Sequence, residues 1–408
     1  MADGIVERRL VFHVGGYDLM MPEIAHRRFV RELRRFETTW SLAASATPPV
    51  IDEDVAAWDV AASGPNWAVG TAIRLVRWDD VIARESREPD WRRAPRGILA
   101  LADFVVGGAF WGYLRTAWRY GLFFIYPFAI LAGFAALAIG AGLLTLRLGG
   151  AAWLGAPVGL LTFAASIRWI GPRLSLAHLL DDWIFSRRYL RRPDPILEPR
   201  LDRIAASLVA AAGGRGLDEI VVVGHSLGAV LAVELMDRAI RLDPGLGTTG
   251  PRVALVTAGS SIPKLGLHRA ALRLREATGR VSEARGLFWV DYQALTDAMN
   301  FYKTNPARLL GASAPGPLLR TVRISRMLDP AYYRRIKQNF FRVHNQFVSA
   351  NDRRAPYDYF MLLCGPVPIE AQARSREGAE TRIDLDGNLM TATAEVATLL
   401  RGATENGR

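Results

Sequence analysis

Cysteine is nearly absent: Cys364 is the only one in 408 residues. An internal disulfide is therefore impossible, and no zinc site built on several thiolates can exist. Lysine is almost as scarce, since Lys264, Lys303 and Lys337 are the only lysines among 51 basic residues. The net charge of +11 is thus carried by arginine. Zinc-finger, RNP and helix-turn-helix patterns are missing, as is a GxxxxGKS/T phosphate loop, so no motif supports nucleic-acid or nucleotide binding. No metal-ligand cluster stands out and no cofactor is expected. The N-terminus, Met1 to Arg9, lacks the apolar core of a secretory signal, and this part of the chain is expected to stay in the cytoplasm.

Long uncharged runs, by contrast, are present. Gly121 to Leu146 holds 26 residues without a charge, enough to cross a hydrocarbon core of about 30 Å with some tilt. Ala151 to Ile167 is a second, shorter run of 17, bracketed by Trp153 and Trp169, a residue type that settles at headgroup level. Arg147 to Gly150 between them allows only a tight turn, so the pair is expected to form a transmembrane hairpin spanning about 121–146 and 151–170. Arg92, Arg93, Arg96, Arg115, Arg119, Arg168 and Arg173 lie outside the spans, whereas the turn carries Arg147 alone. That asymmetry places both ends of the hairpin in the cytoplasm, and arginines flanking apolar segments suit an anionic leaflet. Ile98 to Tyr113 is apolar too but contains Asp103 and the pair Gly107-Gly108, which suggests an interfacial or re-entrant helix. Ala132, Ala136 and Gly140 give the first span a face of small residues that another helix can approach.

Outside this region strands and helices alternate. Strand patterns cover Arg9 to Val14, Gly70 to Trp78, Glu219 to Val223, Val253 to Thr257, Leu287 to Tyr292 and Leu319 to Ile324. A helix with Phe29, Leu33, Phe36 and Trp40 on one face follows the first strand, and further helical patterns cover Leu197 to Ala212 and Ala229 to Ile240. Such alternation predicts an α/β fold with a mostly parallel, doubly covered sheet. Gly224-His225-Ser226-Leu227-Gly228 stands directly between an apolar strand and an amphipathic helix, which makes it a nucleophile elbow. A serine at the tip of a strand-to-helix turn is forced into strained backbone geometry, and only residues without bulk fit two positions to either side.

On this pentapeptide the chain resembles the α/β-hydrolase superfamily, and GHSLG is similar to the elbow of lipases, including the class 3 group. The resemblance implies a serine nucleophile, a carboxylate and a histidine base, in that chain order. Among six histidines, His13, His26 and His178 precede the nucleophile, His225 is in the elbow with its side chain expected to point away from the serine, and His268 comes before the strand that should deliver the acid. The order therefore selects His344. The acid is expected beyond the strand at Leu287 to Tyr292. Asp297, in Thr296-Asp297-Ala298-Met299, resembles the corresponding segment of class 3 lipases and is the choice, with Asp291 inside the strand as alternative and Asp329 as a weaker third. For the oxyanion, Leu227 offers one amide, and the loop His13-Val14-Gly15-Gly16-Tyr17 is similar to HG-type oxyanion loops, with one residue inserted between histidine and glycine.

These readings lead to four expected parts: residues 1–97 as the first portion of a hydrolase domain, 98–174 as a membrane insertion, 175–370 as the second portion, and 371–408 as a peripheral tail. The expected activity is that of a membrane-anchored serine esterase or lipase, facing the cytoplasm and acting on an apolar or lipid acyl ester in the bilayer. An acyltransferase with the same three residues, and a catalytically idle hydrolase-fold membrane scaffold, are the alternatives.

Overall fold

The computed structural model describes residues 4–390. The chain divides into two compact units, one formed by Met1–Asp79, Ile196–Pro263 and Arg273–Arg408, the other by Asp80–Pro195 and Lys264–Leu272.

The first unit is built on a nine-stranded sheet of β1 (Arg8–Val14), β2 (Ala43–Ala46), β3 (Val50–Ile51), β4 (Val55–Gly64), β5 (Trp67–Val76), β6 (Glu219–His225), β7 (Arg252–Ala258), β8 (Leu287–Ala294) and β9 (Leu318–Val322). Its order is β2-β4-β5-β1-β6-β7-β8-β9, with β3 on β4. From β5 to β9 every neighbouring pair is parallel. All seven residues of β6 are buried, as its run of β-branched side chains requires of a central parallel strand. Register places Val14 of β1 beside Gly224 of β6, so the Gly15-Gly16 turn leaves the sheet next to the elbow. Arg9 and Glu219 form a buried ion pair at 2.8 Å, and Arg9 also donates to the carbonyls of Leu363, Gly365 and Val367. This fully engaged guanidinium meets the condition for a tolerable buried charge.

The sequence suggests only one strand, Gly70 to Trp78, between the first helix and the apolar runs. The structure instead has a hairpin, β4 antiparallel to β5, with β2 and β3 added to β4, so the sheet is mixed. In β4 the buried residues Ala56, Trp58, Val60 and Ala62 alternate with more exposed ones. The period of two is present, but alanines on both faces hide it from a hydrophobic pattern.

Helix α1 (Pro22–Trp40) buries Phe29, Leu33, Phe36 and Trp40. Residues from 371 onward, expected to be peripheral, instead contribute Ala379 and Ile383 to the core. Arg354 donates to the carbonyls of Ile383, Asp384 and Leu385, and Trp67 Nε1 to that of Gly387 at 2.9 Å. Residues 391–408 of that tail lie outside the described residues.

The second unit is helical. After α2 (Asp79–Ser86) come α3 (Asp90–Val106), α4 (Ala109–Thr116), α5 (Trp118–Arg147), α6 (Gly155–Ala165) and α7 (Leu176–Arg191). Its bounds are wider than the expected 98–174 because α3 and α7 pack as a pair: the side chain of Leu180 lies against Gly97, and Arg93 Nε donates to Asp181 Oδ1 at 2.8 Å. Lys264 joins this unit through Asp182, whose carboxylate accepts from Nζ at 2.6 Å, and through the ring of Trp183.

Among the described residues two helices are long and apolar enough to cross a membrane: Trp118–Arg147, with mean hydropathy 2.3, and Ala152–Leu174, with 1.3. The latter runs through α6, a π turn (Ser166–Ile170) and a 3-10 turn (Gly171–Leu174). Helices α3 and α4 meet at a 67° bend and qualify together as a broken span or re-entrant loop. Gly108 turns there at φ +85°, while a side chain on Gly107 would come within 2.0 Å of His268 Nε2. The glycine pair thus has two separate local reasons.

The small-residue face expected on the first span is not the one used. Ala132, Ala136 and Gly140 are exposed. Close approach runs instead through Gly142, where a Cβ would lie 2.7 Å from the Gly155 carbonyl, and Gly159, 3.1 Å from that of Ala138. Two residues along a helix turn it by about 200°, so Gly140 and Gly142 point to opposite sides.

Candidate active site

Ser226 sits with φ +55° between β6 and α9 (Gly228–Leu242), the helix that follows α8 (Leu197–Gly213). A left-handed backbone costs a non-glycine residue about 1–2 kcal/mol, and it persists where the surroundings over-determine it. Here the Ser226 N–H donates to the Ala258 carbonyl, and the Ser226 carbonyl accepts from Ala229 and Ser261, all three at 3.1 Å. The flanking glycines are steric necessities. A Cβ on Gly224 would lie 2.5 Å from Cα of Ala229, and one on Gly228 would lie 2.2 Å from the carbonyl oxygen of Gly15.

His344 ends the short helix Phe340–His344, whose first turn is capped by Asn339. Asp297 lies three residues beyond β8, in a turn held by Asn300, which donates to the carbonyls of Ala294 and Asp297. The two side chains meet at 2.7 Å, Nδ1 to Oδ2, and both are buried. The other carboxylate oxygen of Asp297 accepts the Met299 N–H at 2.8 Å. With both oxygens acting as acceptors, His344 carries its proton on Nδ1 and presents a lone pair on Nε2. Among the described residues that buried Nε2 has no hydrogen-bond partner, so the contact to Ser226 Oγ is not closed in this state. Both residues border the Ala258-Gly259 turn. Gly259 follows the carbonyl that binds the Ser226 amide, has φ +56°, and leaves room for His344: a Cβ there would lie 2.9 Å from Cε1 of the imidazole.

The alternative acids are placed elsewhere. Asp291 is buried in β8 and accepts from Thr257 Oγ1 and Gln293 Nε2, both at 2.6 Å; burial raises its carboxyl from 3.8 to about 7. Asp329 caps the helix Pro330–Ile336, where the amides of Tyr332 and Ala331 hold its pKa below the usual value.

On the oxyanion side, Gly16 comes nearest to the serine, since a Cβ on it would stand 3.0 Å from Ser226 Cβ. Among the described residues the amides of Gly16 and Leu227 donate to no acceptor, and free backbone amides are the donors that a developing oxyanion requires. The Gly15 carbonyl accepts from Trp78 Nε1 at 3.2 Å, which fixes the Gly16 amide of the same trans peptide in the opposite direction. The ring of Tyr17 packs edge-on against Trp78.

The remaining histidines have separate environments. Burial and then Arg28 push His13 down to about 4, and it hydrogen-bonds Tyr359 at 3.0 Å. His26 bonds the Thr47 carbonyl at 2.9 Å. His268 belongs to the second unit, where Nε2 bonds the Asp103 carbonyl at 3.2 Å. His225 is the departure. Its ring lies against that of His344, with centroids 4.7 Å apart. Strand alternation already put it on the face of Val221 and Val223, but nothing local showed that His344 covers that face. No group of three or more His, Cys, Asp or Glu side chains among the described residues is arranged to hold a metal ion. No protein-family model, curated protein sequence or solved structure matches the chain, so any functional reading rests on this geometry.

Proposed function

We propose that the chain is a membrane-anchored serine hydrolase with an α/β-hydrolase domain, cleaving a carboxylic ester of an apolar or lipid substrate at the cytoplasmic face. The observation that carries this reading is a serine held at positive φ between strand and helix, together with a buried His344 whose Nδ1 is engaged by Asp297. In the proposed reaction Ser226 Oγ attacks the acyl carbonyl and His344 Nε2 takes its proton. Leu227 and Gly16 amides bind the oxyanion, and the proton passes to the departing alkoxide as the ester bond breaks. Water, deprotonated by His344, then attacks the acyl-enzyme, releases the acid and restores Ser226. Two helices of membrane-spanning length among the described residues support the apolar substrate class.

The test is covalent labelling by a fluorophosphonate, followed by hydrolysis of p-nitrophenyl esters of increasing chain length. Ser226→Ala is expected to abolish labelling and turnover while the circular dichroism spectrum is unchanged. A wild-type protein that takes no label would leave the idle scaffold as the better reading. Turnover that rises only on adding an acceptor alcohol would indicate acyl transfer.

A further inference from the structure

We propose that His225 is a positioning residue for both sides of this site, holding His344 through its main-chain carbonyl and ring face while bracing the Gly16 turn. The proposal rests on the serine-hydrolase reading above.

Nε2 of His225 lies 3.2 Å from the carbonyl oxygen of His344. A carbonyl only accepts, so Nε2 is the protonated nitrogen and Nδ1 carries the lone pair. That Nδ1 faces the oxyanion turn, 3.4 Å from where a Cβ on Gly16 would stand. The ring also lies against the imidazole of His344, tilted by 36°. One side chain therefore touches the base at its backbone and at its ring, and faces the Gly16 turn beside Ser226. A rotation of His225 would disturb both.

The groups around His225 keep it neutral. Burial pushes its pKa well below the usual value, and His344, His13 and Arg28 add to the effect against the opposing hydrogen bond. Asp297 faces His344 from Nδ1 and makes no hydrogen bond to His225. A neutral ring keeps one tautomer, so its Nε2–H bond persists while His344 gains and loses a proton. An apolar side chain would fill the same space but leave the His344 carbonyl without this donor.

Two variants and one spectrum test this. His225→Phe keeps a ring and loses the donor, whereas His225→Gln keeps an N–H at the ε position. A displaced catalytic group costs about 10²-fold in rate, so the phenylalanine variant is expected to lose that much in kcat and in fluorophosphonate labelling rate, with KM little changed. The glutamine variant is expected to recover most of the loss. In the wild type, ¹⁵N-histidine NMR is expected to show His225 as the neutral Nε2–H tautomer across the active pH range, a readout independent of whether either variant folds. Wild-type kcat in His225→Phe, equal losses in both variants, or an Nδ1–H tautomer would each overturn the proposal. Failure of the wild type to take the label at all would instead remove the hydrolase reading beneath it.

Discussion

Replacing Asp297 by asparagine separates the two candidate acids and has a magnitude that follows from the site. Both carboxylate oxygens are acceptors, Oδ1 from the Met299 N–H and Oδ2 from His344 Nδ1. A carboxamide can satisfy only one of them. If its oxygen keeps Met299, its NH₂ faces Nδ1, and the imidazole must move its proton to Nε2, the nitrogen that has to receive the Ser226 proton. Loss of the working tautomer costs about 10⁴-fold in kcat, about 5.5 kcal/mol of transition-state stabilisation. Asp291→Asn has no such consequence, because Asp291 reaches Thr257 and Gln293 and makes no hydrogen bond to His344. The assay is p-nitrophenyl butyrate hydrolysis by detergent-purified protein, with active sites counted by fluorophosphonate. A loss at Asp291→Asn as large as at Asp297→Asn, or near wild-type turnover in Asp297→Asn, would refute the assignment.

The other expectations concern stability and topology. The folded protein keeps the Asp291 proton until about pH 7, whereas the unfolded chain loses it near 3.8. Stability therefore falls as pH rises through that window, by about 4 kcal/mol at about 1.4 kcal/mol per pH unit; melting curves of Asp291→Asn should be flatter over the same range, and an unchanged slope would contradict this. Ser226→Gly, which relieves the positive φ, should abolish labelling yet raise stability by about 1 kcal/mol; a lower melting temperature would argue against strain at this residue. Cys364 is buried and its thiol is pushed up to about 12, so the native thiol should stay silent and single cysteines can be added directly. Gly149→Cys should react with an impermeant maleimide in right-side-out vesicles, while Arg87→Cys and Arg192→Cys should react only after permeabilisation. Reaction at Arg192→Cys but not at Arg87→Cys would show an odd number of crossings.

How much was legible followed how far apart the interacting residues lie in the chain. The turn around Ser226 needs only a β-branched strand, two glycines and a helix in succession, and all of these are adjacent in sequence. The long uncharged runs are local in the same sense, since length and hydropathy alone make them long and apolar enough to span a membrane. The buried face of α1 follows from 3.6-residue periodicity. Asp297 and His344 are 47 residues apart; lipase-like order suggested the pairing, but only the folded chain brings Nδ1 within 2.7 Å of the carboxylate.

Other features had no local signal. The alanines of β4 concealed a strand whose pairing becomes evident only against β5. A helix offers several small-residue faces, and only the packed hairpin shows that Gly142 rather than Gly140 meets the neighbouring helix. The residues after 370 are polar by sequence, yet Ile383 is buried, and Arg354 and Trp67 bind the carbonyls of Asp384 and Gly387 in the same segment. His225 shows the same division. Its position after Val223 determined the face of the sheet on which it lies, while its contact with His344 depends on a segment more than a hundred residues away folding back over that face. Periodicity, charge and backbone strain are properties of neighbouring residues and can be read along the chain; hydrogen bonds and ring contacts between distant segments exist only once the sheet has fixed where those segments end.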